Sequence, residues 1–226
     1  RTTWDGFTFG LDLDMADVTL GYASTSGEDA DLSGKSQMWL NAAKGDGDWK
    51  ANLLYVSTTV GAGDASTAMG LDLSYAMMGG DLNLDVSYNT TSDGTTDGDM
   101  TSIGATYNVN ESMSITGNQT SYGENGFNAG SASMTGGYAA TGSLGYLNAD
   151  DKDMNVGITY AMGDFNLGAT MHQITNEVTN AADRDVTDIS LGYTMSDNAN
   201  LSLSMATDND GTTETNYMYV TLNIRP

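Results

Sequence analysis

The chain has no cysteine, one proline, one histidine and only seven basic residues among its 226. Without cysteine there is no disulfide framework, which fits an exported protein and equally does not exclude the cytoplasm. No stretch approaches the roughly 18 apolar residues that mark a membrane-spanning helix. That absence does not exclude a membrane, because barrel strands hide a lipid-facing surface in alternate positions. No export signal stands at Arg1, which predicts a mature chain or a fragment. Against the seven Lys and Arg stand 30 Asp and Glu, a formal net charge of −23. Such a chain repels nucleic acid and anionic surfaces and draws cations. Only 39% of residues are hydrophobic, a composition that on its own suggests disorder.

The placement of those residues argues otherwise. Segment 154–171, MNVGITYAMGDFNLGATM, puts Met, Val, Ile, Tyr and Met on every second residue, turns over Gly-Asp, and alternates again. Strict alternation marks a β-strand with a different environment on each face. The pattern returns in GLDLSYAMMGGDLNLDVSY (70–88), SIGATYNVNESMSITG (102–117) and SLGYTMSDNANLSLSM (190–205), with weaker copies turning near Asp14–Asp17, Gly45–Asp48 and Ala140–Ser143. Longer acidic connections, such as 24–34, 90–99, 122–130, 148–153, 177–185 and 207–215, separate the copies. Tight turns alternating with longer loops predict an antiparallel meander of about 15 strands, turns at one end and loops at the other. No domain boundary is visible, so residues 1–226 read as one unit.

The two faces differ in kind. Leu71, Leu73, Tyr75 and Met77 share one side, as do Leu82, Leu84, Val86 and Tyr88, or Met154 to Met162. The other side carries small and polar residues, among them Asp12, Asn52, Asp72, Asp85, Thr159 and Ser202. A soluble sandwich allows the same alternation, but a sheet this wide curls, splits or closes. Tyr75, Tyr107, Tyr160 and Tyr193 stand at one height just before the tight turns, and Tyr22 and Tyr88 stand higher. Aromatic bands flanking an aliphatic band are what a bilayer interface selects. The expectation is an all-β, transmembrane, antiparallel up-and-down β-barrel of about 14–16 strands, 16 favoured for a complete protein.

The hairpin MGDFNLGAT (162–170) and the last residues, DISLGYTMSDNANLSLSMATDNDGTTETNYMYVTLNIRP (188–226), resemble the periplasmic hairpins and closing strand of the general diffusion porins of Gram-negative bacteria. The resemblance covers most of the chain as a repeating style. It implies a 16-stranded homotrimer in the outer membrane, in contact with lipid and lipopolysaccharide, that passes small hydrophilic solutes. Three features depart from it. The chain stops at Ile224-Arg225-Pro226 where porins end in an aromatic residue, no connection reads as a long inward-folded loop, and 15 strands is odd. A chain lacking an N-terminal portion and its last residues accounts for all three. The alternative is a smaller barrel of about 14 strands, with one strand split too many near 131–150.

On this reading the polar face lines water. Parity places Asp12, Asp14, Lys50, Asp72, Asp85, His172 and Arg225 on it, an acid excess that predicts weak cation preference. Gly10, Gly21, Gly104, Gly157, Gly168 and Gly192 on the same side predict an open interior. Glu28, Asp29, Asp31, Asp150, Asp151, Asp208 and Asp210 offer loop oxygens suited to Ca²⁺, in no recognised motif, and solvated surface charge explains them better. No other cofactor is implied. A single histidine, in Thr-Met-His at 170–172, fits neither a lipid-facing Ser–His pair nor an Asp-x-His rim dyad, and no nucleophile elbow or phosphate loop is present, so no enzyme is expected. The alternative function is a structural or adhesive barrel whose acidic loops bind a partner or matrix.

Overall fold

The computed structural model describes residues 3–26, 34–61, 63–126, 149–176 and 183–224. It contains one sheet of 13 strands: β1 (Thr3–Leu13), β2 (Ala16–Ser26), β3 (Lys35–Asp46), β4 (Trp49–Val60), β5 (Ser66–Met77), β6 (Leu82–Ser92), β7 (Asp97–Asn110), β8 (Met113–Tyr122), β9 (Asp151–Met162), β10 (Phe165–Asn176), β11 (Arg184–Ser196), β12 (Ala199–Asn209) and β13 (Glu214–Ile224). Each strand pairs antiparallel with its neighbours in chain order. The architecture is all-β and up-and-down, as the alternation predicts. Among the described residues the single helical element is a 3₁₀ turn at Met78–Gly80.

Six tight turns lie at one end of the sheet, after β1, β3, β5, β7, β9 and β11. Gly47 and Gly163 take positive φ of 59° and 57° in two of them, a conformation that glycine adopts without a Cβ penalty. The seventh tight turn expected from sequence, around Ala140–Ser143, lies outside the described residues. Its flanking strands are informative, because β8 and β9 are hydrogen-bonded directly, from Met113↔Tyr160 to Ser121↔Lys152. β8 and β9 are thus neighbours in the sheet, and the expectation that no connection reads as a long inward-folded loop falls, for the segment between them, on residues 127–148, outside the described residues.

Two other connections are shorter than their polarity suggests. The polar stretches 90–99 and 207–215 are mostly strand, and the chain reverses only over Asp93–Thr96 and Asp210–Thr213. Both reversals read Asp-Gly-Thr-Thr and are built alike. Asp93 Oδ1 accepts from the amides of Thr95 and Thr96 at 2.9 and 2.8 Å, and Asp210 Oδ1 from those of Thr212 and Thr213 at 2.9 and 2.7 Å. Gly94 and Gly211 follow at φ 87° and 79°.

The apolar face is the exposed one. Leu71, Val156, Ile158, Leu167, Ile189 and Leu222 are 37–62% exposed. Among the described residues the buried hydrophobics are only Met100, Tyr122, Ile174, Val186 and Ala206, and register puts these on the polar face. A water-soluble protein of this size hides its large apolar side chains. Here they form a continuous outer belt, and the polar face is the sheltered side.

Candidate functional site

The sheltered face is built from cross-strand pairs. Asp72 lies opposite Ser87, and Ser74 opposite Asp85. Each serine hydroxyl donates to its partner carboxylate at 2.7 Å, so the two acids are fixed on the wall by reciprocal bonds. Asn41 Nδ2 donates to Asn52 Oδ1 at 2.8 Å, and the Ser114 and Thr159 hydroxyls bond each other at 2.7 Å. These bonds run sideways from strand to strand, because side chains on one face stand about 5 Å from their cross-strand neighbours. The wall is thereby polar and held in place.

The residues expected on it are placed as follows. Asp12 faces Asp17 across β1 and β2, and Lys50 faces Ser74 across β4 and β5, both on the sheltered side. Asp14 sits in the β1–β2 turn, where its carbonyl accepts from Lys44 Nζ at 2.7 Å, and so is not a wall residue. The turn ends the strand one residue earlier than parity counting assumes. His172 lies on the sheltered face, and Arg225 is outside the described residues.

The glycines do not leave the interior uniformly open. A Cβ at Gly21 would overlap the Trp39 indole, one at Gly104 would meet Asn118 Oδ1 at 3.1 Å, one at Gly157 Thr116 Oγ1 at 2.9 Å, and one at Gly168 Ser190 Oγ at 2.6 Å. Larger neighbours lean across these positions, so small residues here are sockets. Gly10 alone of the six has nothing within 4 Å.

Of the acids read as loop oxygens, Asp151 and Asp208 are strand residues of the sheltered face. Asp151 accepts from Asn176 Nδ2 at 2.7 Å, and Asp208 takes a two-pronged bond from Arg184, Nε at 3.2 Å and Nη2 at 2.6 Å. Asp210 caps its own turn. Asp150 holds a positive φ of 61° just before β9. Glu28, Asp29 and Asp31 lie outside the described residues. Among the described residues no three His, Asp or Glu form a group suited to a metal ion.

Sequence reasoning misses the densest cluster on the wall. Asp153 on β9, His172 on β10 and Asp188 on β11 meet there, with His172 Nδ1 2.9 Å from Asp153 Oδ2 and Nε2 4.0 Å from Asp188 Oδ2. Parity alone could have put all three on one face. Their meeting depends on pairing offsets, which alternation does not carry.

The outer face bears the expected tyrosines. Tyr22, Tyr75, Tyr88, Tyr107 and Tyr160 are 40–47% exposed. Trp49 lies opposite Tyr75, and Phe165 stacks on Tyr193 with ring centroids 4.6 Å apart, so the band at the turn end contains two aromatics beyond those singled out. Higher up, Phe7 and Tyr22 meet at 6.0 Å. Lipid-facing hydrocarbon between aromatic rims, over a polar inner wall, defines an outer-membrane β-barrel channel.

Comparison with known proteins agrees. A family model described as Gram-negative porin matches residues 111–224, half of the chain, and the protein belongs to that family. Among solved structures, Pseudomonas aeruginosa OpdK with vanillate superposes with a TM-score of 0.65 at 13% identity, covering 99% of this chain and 69% of that one. Pseudomonas aeruginosa OccK8 (OprE) gives 0.63 at 14%, with 98% and 71% covered, and OccK11 (OpdR) of the same organism 0.60 at 12%, with 99% and 70%. At these identities the likeness is one of fold. No curated protein matches the chain. The protein is thus an integral outer-membrane β-barrel of a family of channels for small solutes, which are generally not enzymes.

Proposed function

We propose that this channel passes small hydrophilic solutes with a preference for cations. The observation that carries the reading is the charge of the sheltered face. Register puts Asp12, Asp17, Asp72, Asp85, Asp151, Asp153, Asp188 and Asp208 on it, against Lys35, Lys50 and Arg184. Arg184 is itself neutralised by Asp208. A confined aqueous path with walls of one sign raises the local concentration of counter-ions. No chemical step is required, since the wall acts through width and charge.

Planar-bilayer recordings under a KCl gradient test this. The reversal potential is expected on the cation side, shrinking when Asp72 and Asp85 are both changed to Asn and when salt rises, because the Debye length falls from about 10 Å at 0.1 M to about 3 Å at 1 M. A reversal potential at zero or on the anion side contradicts it. Assembly as a homotrimer belongs to the same proposal through the porin family, and native mass spectrometry in detergent reads it directly.

A further inference from the structure

The cluster of Asp153, His172 and Asp188 has a feature that a merely wet wall does not need. The two aspartates are 7% and 8% exposed, and one oxygen of each, Asp153 Oδ1 and Asp188 Oδ1, is buried with no hydrogen-bond partner. The nearby donors are directed elsewhere. His172 Nδ1 and Asn155 Nδ2 both meet Asp153 at its other oxygen, Oδ2, each at 2.9 Å. Arg184, two residues before Val186 on β11, is engaged with Asp208. The wall therefore holds two buried acceptors for which the described residues supply no donor. Buried carboxylate oxygens are ordinarily satisfied, and an exception calls for a cause.

Their surroundings are apolar in a regular way. Ile174 is the cross-strand partner of Asp153, Val186 of His172, and Ala206 of Asp188. Ile174, Val186 and Ala206 form a buried hydrophobic cluster with Tyr217 packed against it. Unmet acceptors beside hydrocarbon match a ligand with N–H donors at one end and an apolar body at the other. In such surroundings a charge-assisted N–H to carboxylate bond is stronger than its neutral counterpart. A bare metal ion is a poorer match, since these side chains do not form a metal-holding group.

We propose that this patch is a wall subsite for small organic cations of the primary-ammonium or guanidinium class. Side chains of the patch, closed in this structure, shift to let the N–H groups donate to Asp153 and Asp188, and the apolar part lies against Tyr217 beside Ile174 and Val186. The proposal rests on the cation-preferring channel reading and adds to it the class of solute that lingers on the wall.

Calorimetric titration of the full chain folded in detergent micelles tests it, with benzylammonium chloride as probe. Tetramethylammonium chloride is the comparison, carrying the same charge but no N–H. Saturable benzylammonium binding at least tenfold tighter than tetramethylammonium is expected. Asp153→Asn and Asp188→Asn should each weaken it about tenfold, while Asp46→Asn, on the outer face, leaves it unchanged. Equal binding of the two cations, or no benzylammonium binding, overturns the subsite, and that comparison needs no variant to fold. Bilayer selectivity is read separately: a cation-selective channel that binds both probes alike loses only the subsite, and an anion-selective one loses the reading beneath it.

Discussion

Single carboxylates organise this protein at places far from any chemistry. Asp93 and Asp210 each accept two backbone amides in their Asp-Gly-Thr-Thr turns, and these bonds hold both carboxyls below the ordinary aspartate pKa. The stabilisation is fully present above the unfolded value and is lost as pH falls through the lower folded one. Amide-proton shifts of Thr95, Thr96, Thr212 and Thr213 should therefore stay constant near neutrality and move together in acid, and Asp93→Ala or Asp210→Ala should abolish the movement in its own turn alone. At Arg184 the outcome is energetic. Arg184→Ala leaves the Asp208 carboxylate, 13% exposed, without its two-pronged donor, which costs about 1–3 kcal/mol. Denaturant unfolding reads that loss, and adding Asp208→Ala should recover part of it.

At the scale of the strand, adjacent residues have opposite fates. Ile158 points out and Thr159 in on β9. Ile158→Arg should destabilise the barrel in lipid by about 2–4 kcal/mol if it sits near the bilayer midplane, whereas Thr159→Arg should fold and lower conductance. Gly21→Ala should displace the Trp39 indole and shift its fluorescence, and Trp39→Ala in that background should restore stability. Sidedness, the tight turns and the tyrosine bands are legible in the sequence because lipid and water impose opposite demands on alternate residues. Strand ends are not. Asn89 to Ser92, Asp97 to Asp99 and Thr207 to Asn209 continue the ladder without an apolar stripe, so polarity there reads as loop. Beyond the hydrocarbon both faces meet water, and alternation stops before the strand does. For the same reason Asp151 and Asp153 read as loop acids, and their approach to Asn176 and His172 is visible only in the register.

Over the whole molecule the ladder has a direction. β1 and β13 both run toward the tight-turn end, as an uninterrupted antiparallel meander requires of its odd-numbered strands. The channel exists only if the apolar face meets lipid, and the absence of cysteine makes this directly measurable. Single cysteines at Asn155, Val156, Ile158 and Thr159, in protein folded into bilayers, can be scored for reaction with a water-soluble thiol reagent and, when labelled before folding with a thiol-reactive fluorophore, for quenching by brominated acyl chains. The prediction is reaction at 155 and 159, quenching at 156 and 158. The reverse assignment, or no alternation between the two sets, would contradict it.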